Sequence, residues 1–142
     1  MLTIPRQCFD EIAAHSNQEY PNECCGILIG AGDEIREVLR GRNVLESPYK
    51  YQIHPLDVRK ADDLARERDL DILAFYHSHT AIDATKVTEA YPSETDINHA
   101  KAIQNLFQGY YLIMTLKDRD APELRAFRII DGTVDEQELQ IV

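Results

Sequence analysis

Three stretches of this chain are apolar almost from end to end: residues 24–30 (CCGILIG), 70–76 (LDILAFY) and 110–116 (YYLIMTL). Each is too short for a buried helix and lacks the alternation of a half-exposed strand. Each therefore reads as a strand covered on both faces. Covering such strands takes helices packed on the sheet.

Helical spacing supplies them. Residues 5–16 carry Cys8, Phe9, Ile12 and Ala13 along one stripe, with Pro5 in the first turn. Residues 17–22, with Pro21, read as a loop. A second helix starts at His54-Pro55 and runs to about Arg68, with Leu56, Ala61, Leu64 and Ala65 toward one face. Ser93 caps a third, predicted over residues 94–106. Residues 34–39 alternate polar and apolar, and the turn residues 31–33 fold them back on the first apolar run as a hairpin. Further strands are predicted over 49–53, after the Ser47-Pro48 break, and over 124–130. Asp131-Gly132 is a hairpin turn from which 133–142 returns as a final strand. The expected architecture is α/β: one domain over residues 1–142, a mixed central β-sheet flanked by two or three helices.

Length and composition agree. The 142 residues fit one core, and 44% hydrophobic with 28% charged residues is a globular balance. The net charge of -10, from 25 acids against 15 bases, argues against nucleic acid as a partner. No apolar run has the length of a membrane span, and residues 1–15 lack the three-part pattern of a signal peptide. The expected location is cytoplasmic. Three cysteines, two of them adjacent, make neither a disulfide framework nor a CxxC zinc knuckle. Cys8, Cys24 and Cys25 read as buried structural thiols.

The second apolar run ends in His77-Ser78-His79. On a strand, residues two apart face the same side, so the two imidazoles can take two corners of a tetrahedral zinc site. A third ligand must come from elsewhere. Asp96 suits this role: it lies in the first turn of the next helix, and the loop 80–92 is long enough to fold that turn over the strand end. Each piece also has a bland reading. HxH occurs by chance, and Ser93-x-x-Asp96 is a good N-cap arrangement in its own right. Asp83, four residues past His79, and His99, one helical turn past Asp96, are rival ligands. His15 and His54 read as structural or surface residues.

Taken in order, these segments resemble the JAMM (MPN+, Mov34/PAD-1) metalloprotease family. Its pattern is an early glutamate, then H-S-H-P, a loop and S-x-x-D. Tyr76-His77-Ser78-His79 and Pro92-Ser93-Glu94-Thr95-Asp96 carry the later part. Pro21-Asn22-Glu23-Cys24-Cys25-Gly26-Ile27-Leu28-Ile29-Gly30 matches the early part, and Tyr51-Gln52-Ile53-His54-Pro55 is also similar. The resemblance runs from about Ile4 to about Val134, and the compact length looks most like the stand-alone prokaryotic members. Two departures stand out. Thr80 replaces the proline after HSH, and residues 80–92 form a longer loop than the family usually has, an insertion near the site.

The resemblance implies the JAMM/MPN fold, which is cytidine-deaminase-like. It implies one zinc ion per chain held by His77, His79 and Asp96, with Glu23 as general acid/base and Ser93 as transition-state stabiliser. Without it, Glu23 would read as a solvated loop carboxylate. It further implies a peptidase or isopeptidase cutting the amide bond after the C-terminal Gly-Gly of a ubiquitin-like or sulfur-carrier protein. The alternative is a non-catalytic MPN-type scaffold that binds protein.

Overall fold

The computed structural model describes residues 1–85 and 88–142. Among these, eight strands form one mixed sheet in the order β7-β6-β5-β4-β2-β3-β1-β8. The three apolar runs become its central strands β2 (Cys25–Ala31), β4 (Asp71–His79) and β5 (Tyr110–Thr115). β2 pairs antiparallel with β4 and with β3 (Glu34–Gly41), its hairpin partner. β4 pairs parallel with β5, and β6 (Glu123–Ile130) lies antiparallel on the far side of β5.

The alternation of side chains divides the core between two faces. Leu28, Tyr76, Leu112 and Met114 pack with Cys8 and Ile12 of α1 (Arg6–Glu19). Ile27 and Ile29 face the other way, onto Ala61 and Ala65 of α2 (Pro55–Glu67). Tyr111 and Ile129 meet Ala100 of α3 (Glu94–Ile103) on that second side. Gly26 is glycine for a steric reason: a Cβ there would fall inside the ring of Tyr76 on the neighbouring strand.

The expected mixed sheet with three helices is present, with differences at its margins. Residues 2–4 form a short strand, β1 (Leu2–Ile4), that no pattern announced. α1 continues three residues past the predicted end, to Glu19, and stops where Tyr20 turns extended (ψ 132°) before Pro21, as residues before proline do. α3 stops at Ile103 rather than 106, where the chain tightens into turns, with Leu106 N donating to Ile103 O.

Residues 49–53 are not a strand. Only an isolated bridge joins Asn43 to Ile53. The Asn43 side chain organises the segment instead, accepting from Leu45 N and Gln52 N and donating to Glu23 O and Lys50 O. The predicted final strand 133–142 is two strands, β7 (Thr133–Gln137) and β8 (Leu139–Ile141). β7 pairs with β6 and β8 pairs with β1, so they lie at opposite ends of the strand order with only Glu138 between them. The sheet therefore curves round until its two edges meet, and Leu2 N donates to Glu138 O at that point. No helix among the described residues is long and apolar enough to cross a membrane.

Candidate metal centre

The parity of β4 decides where its histidines point. His77 and His79 share the face of Phe75, on the side where α3 packs. The first turn of α3 brings Asp96 against them. The Nε2 atoms of His77 and His79 are 3.1 Å apart, and Asp96 Oδ2 lies 3.1 Å from the first and 3.0 Å from the second. All three side chains are buried. Among the described residues, these three are the group that could hold a metal.

The donor set fits a small cation. A tetrahedron with bonds of about 2.0–2.1 Å has edges of roughly 3.3 Å, close to the three distances found. The protons point the same way. His79 Nδ1 lies 2.6 Å from the carbonyl oxygen of Glu89, which can only accept, so Nδ1 carries the hydrogen. With Nδ1 as the donor, Nε2 of His79 can offer its lone pair towards a second imidazole nitrogen and a carboxylate oxygen. With His77 Nε2 likewise unprotonated, the three atoms form a cluster of acceptors that a cation could bridge.

Each of the three side chains is held by a different device. Asp96 belongs to a capping box: Ser93 N donates to Asp96 Oδ2 (2.9 Å) while Asp96 N donates to Ser93 Oγ (3.1 Å). The N-cap reading and the ligand reading of Ser93-x-x-Asp96 are thus compatible. His79 is oriented by the Glu89 carbonyl. His77 has no such acceptor on Nδ1 among the described residues. Its ring is stacked on Tyr51 instead, with centroids 4.4 Å apart and planes 24° apart. Burial opposes the charged form of Asp96, but His77 and His79 outweigh it and hold the carboxyl well below its usual range. Burial also lowers the His77 pKa, against the pull of Asp96.

Glu23 is not a solvated loop carboxylate. It is 1% exposed, and neither carboxylate oxygen has a hydrogen-bond partner among the described residues. Burial first, and then the charge of Asp96, push its pKa up to about 9. Its backbone is pinned: Glu23 N donates to Ser47 O (2.9 Å), and Asn43 Nδ2 donates to Glu23 O (3.0 Å). The register that pairs Cys25 with His77 brings the start of β2 beside the histidines.

Ser93 is half-buried and lines a cavity of about 780 Å³ with His79, Tyr49, Glu89 and Tyr91. Its Oγ accepts in the cap, which leaves the hydroxyl hydrogen available to donate.

The other candidates fall elsewhere. Asp83 accepts from Thr85 within the loop and is outside the three-residue group. His99 stands behind Tyr51, with ring centroids 5.8 Å apart. His15 is buried against the Tyr76 hydroxyl (2.7 Å), and His54 caps α2 through Leu56 N. The three cysteines are free and buried, and burial raises the Cys24 thiol to about 11. Thr80, in place of proline, donates to Pro48 O at 2.9 Å. Residues 86 and 87 of the long loop lie outside the described residues.

Sequence reasoning missed Tyr51, Ser78 and the Glu89 carbonyl. Tyr51 stands in the family-like stretch 51–55 without a role assigned to it, and the signal at Ser78 was its position. As the middle residue of HSH it must face away from the histidines, and there it accepts from Cys24 N at 2.8 Å.

Comparison with known proteins identifies the family. The family model described as prokaryotic homologs of the JAB domain matches residues 5–130. The CysO-cysteine peptidase of Mycobacterium tuberculosis is 31% identical over 144 residues, covering 100% of this chain and 92% of that protein. A probable TtuB-protein conjugate cleaving protease of Thermus thermophilus is 34% identical over 102 residues, 71% of this chain and 64% of its own length. The solution structure of protein DSY2949 from Desulfitobacterium hafniense is 29% identical, covers 100% of this chain and 93% of that one, and superposes with a TM-score of 0.84. On the match over residues 5–130, the chain belongs to the prokaryotic JAB (JAMM/MPN) family.

Proposed function

We propose that this chain, acting as one domain, is a zinc-dependent peptidase of ubiquitin-like or sulfur-carrier proteins. It hydrolyses the amide bond that follows the carrier's C-terminal Gly-Gly. The observation that carries the reading is the pairing of two features: three inward-facing donors 3.0–3.1 Å apart, and a buried, partnerless carboxylate, Glu23. The two relatives named above support a protein carrier, since their names describe a peptidase and a conjugate-cleaving protease.

In this reading His77, His79 and Asp96 hold the ion. Zinc there supplies Lewis acidity and lowers the pKa of water to about 7. Burial favours the protonated Glu23 carboxyl in the metal-free chain, and a dication held beside it by His77, His79 and Asp96 would favour the ionised form. As a carboxylate free of competing hydrogen bonds, Glu23 takes the proton of the attacking water and returns it to the leaving amine. The Ser93 hydroxyl donates to the carbonyl oxygen as negative charge grows on it. One such donor is worth about 3 kcal/mol in comparable sites. The cavity beside His79 and Ser93, walled by Tyr49 and Tyr91, receives the extended tail.

The test is direct. Zinc-loaded protein is incubated with a ubiquitin-fold carrier bearing one amino acid in amide linkage after Gly-Gly, and the products are weighed by mass spectrometry. Loss of that amino acid, abolished by a chelator and restored by zinc, supports the proposal. An intact conjugate bound to zinc-loaded protein would favour the scaffold instead.

A further inference from the structure

We propose that Thr115 is a positioning residue for the metal centre, acting on His79 through the long loop. The inference rests on the reading of His79 as a zinc ligand. Thr115 ends β5 and lies directly opposite His79 in the parallel register of β4 and β5. It is 4% exposed. Its hydroxyl does not face an apolar neighbour. It donates to the carbonyl oxygen of Thr88 at 2.5 Å and accepts from Lys117 N at 3.2 Å.

Thr88 immediately precedes Glu89, whose carbonyl receives the Nδ1–H of His79. On the other side of Glu89, Ala90 is buried against Ile113 and Phe127. The Glu89 peptide is thus clamped between a hydrogen bond to β5 and an apolar anchor on β5 and β6. The His79 backbone is tied to the same place, since Leu116 N donates to His79 O at 2.9 Å. One strand end therefore fixes both the main chain of the ligand and the acceptor that orients its ring.

This gives the inserted loop a function beyond length. A loop of this kind tolerates extra residues at small entropic cost, but its carbonyl must stay within hydrogen-bond reach of Nδ1. Thr115 enforces that. A histidine held by an acceptor on its second nitrogen keeps one tautomer and one orientation, and loss of such a partner typically weakens metal binding by about 10–100-fold. Among the described residues the Glu89 side chain adds an exposed ion pair with Lys117, which contributes little.

The experiment compares Thr115→Val, Thr115→Ala and Thr115→Ser with wild type. The readouts are zinc affinity by chelator competition and the visible spectrum of the cobalt(II)-substituted protein. Val and Ala should weaken zinc measurably, by at most the roughly 10–100-fold that follows loss of a histidine's own partner, and shift the cobalt bands, while Ser, which keeps the hydroxyl, should stay close to wild type in both. Wild-type zinc affinity and spectrum in either hydroxyl-free variant would overturn the inference, as would a Ser variant as impaired as Val. If wild type itself binds no stoichiometric zinc, the metal reading fails first, and the two failures are distinguished.

Discussion

Ser78 and Cys24 are bound to each other twice: Cys24 N donates to Ser78 Oγ at 2.8 Å, and Ser78 N donates to Cys24 O at 3.1 Å. The residue between the two histidines thereby fixes the residue next to Glu23. The end of β4 and the segment that leads into β2 are thereby joined beside the three-residue group and Glu23.

Ser78→Ala should test that joint. It leaves the buried Cys24 N–H without an acceptor, a loss of about 1–3 kcal/mol, seen as a lower midpoint in thermal or denaturant unfolding. Zinc stoichiometry should remain at one, because no ligand is removed. The turnover rate should fall more than zinc affinity does, since the group displaced is Glu23.

Tyr51→Leu removes the ring stacked on His77 while keeping bulk in the same place. The expected outcome is zinc binding weakened several-fold, with stability of the metal-free protein nearly unchanged. Competition with a chelator measures the first, and unfolding of the metal-free protein the second.

His15 gives a pH prediction with a definite sign. Burial lowers its pKa from 6.5 to about 4, so the folded protein holds the ring neutral against Tyr76. Between those two values the unfolded chain binds the proton and the folded one does not. Stability is therefore intact above about 6.5 and falls as the pH drops towards about 4. His15→Gln should flatten that part of the stability profile relative to wild type, as read from denaturant midpoints at matched pH values.

Much of the fold and the site could be read from residue order, and the exceptions have physical causes. The central strands were legible because burial on both faces leaves an apolar run with no other explanation. The grouping of His77, His79 and Asp96 was legible because side chains alternate on strands and cap helices at fixed offsets. β1 escaped because it has only three residues, Leu2–Ile4, and is made by pairing rather than by propensity. Residues 49–53 were misread because one side chain, Asn43, takes the hydrogen bonds a ladder would have made. The split at Glu138 follows from the curvature of the whole sheet, which no local pattern encodes. The acceptor for His79 is a backbone carbonyl, and every residue has one, so Glu89 carried no signal.

The central claim is that Glu23 moves the proton while His77, His79 and Asp96 hold the metal. The measurement that tests it most directly is the rate of Gly-Gly amide hydrolysis by Glu23→Gln beside wild type, with zinc content determined on the same samples. The account predicts one zinc per chain in both proteins and a rate lower by about 10²–10⁴-fold in the variant. Equal rates at equal zinc content would contradict it.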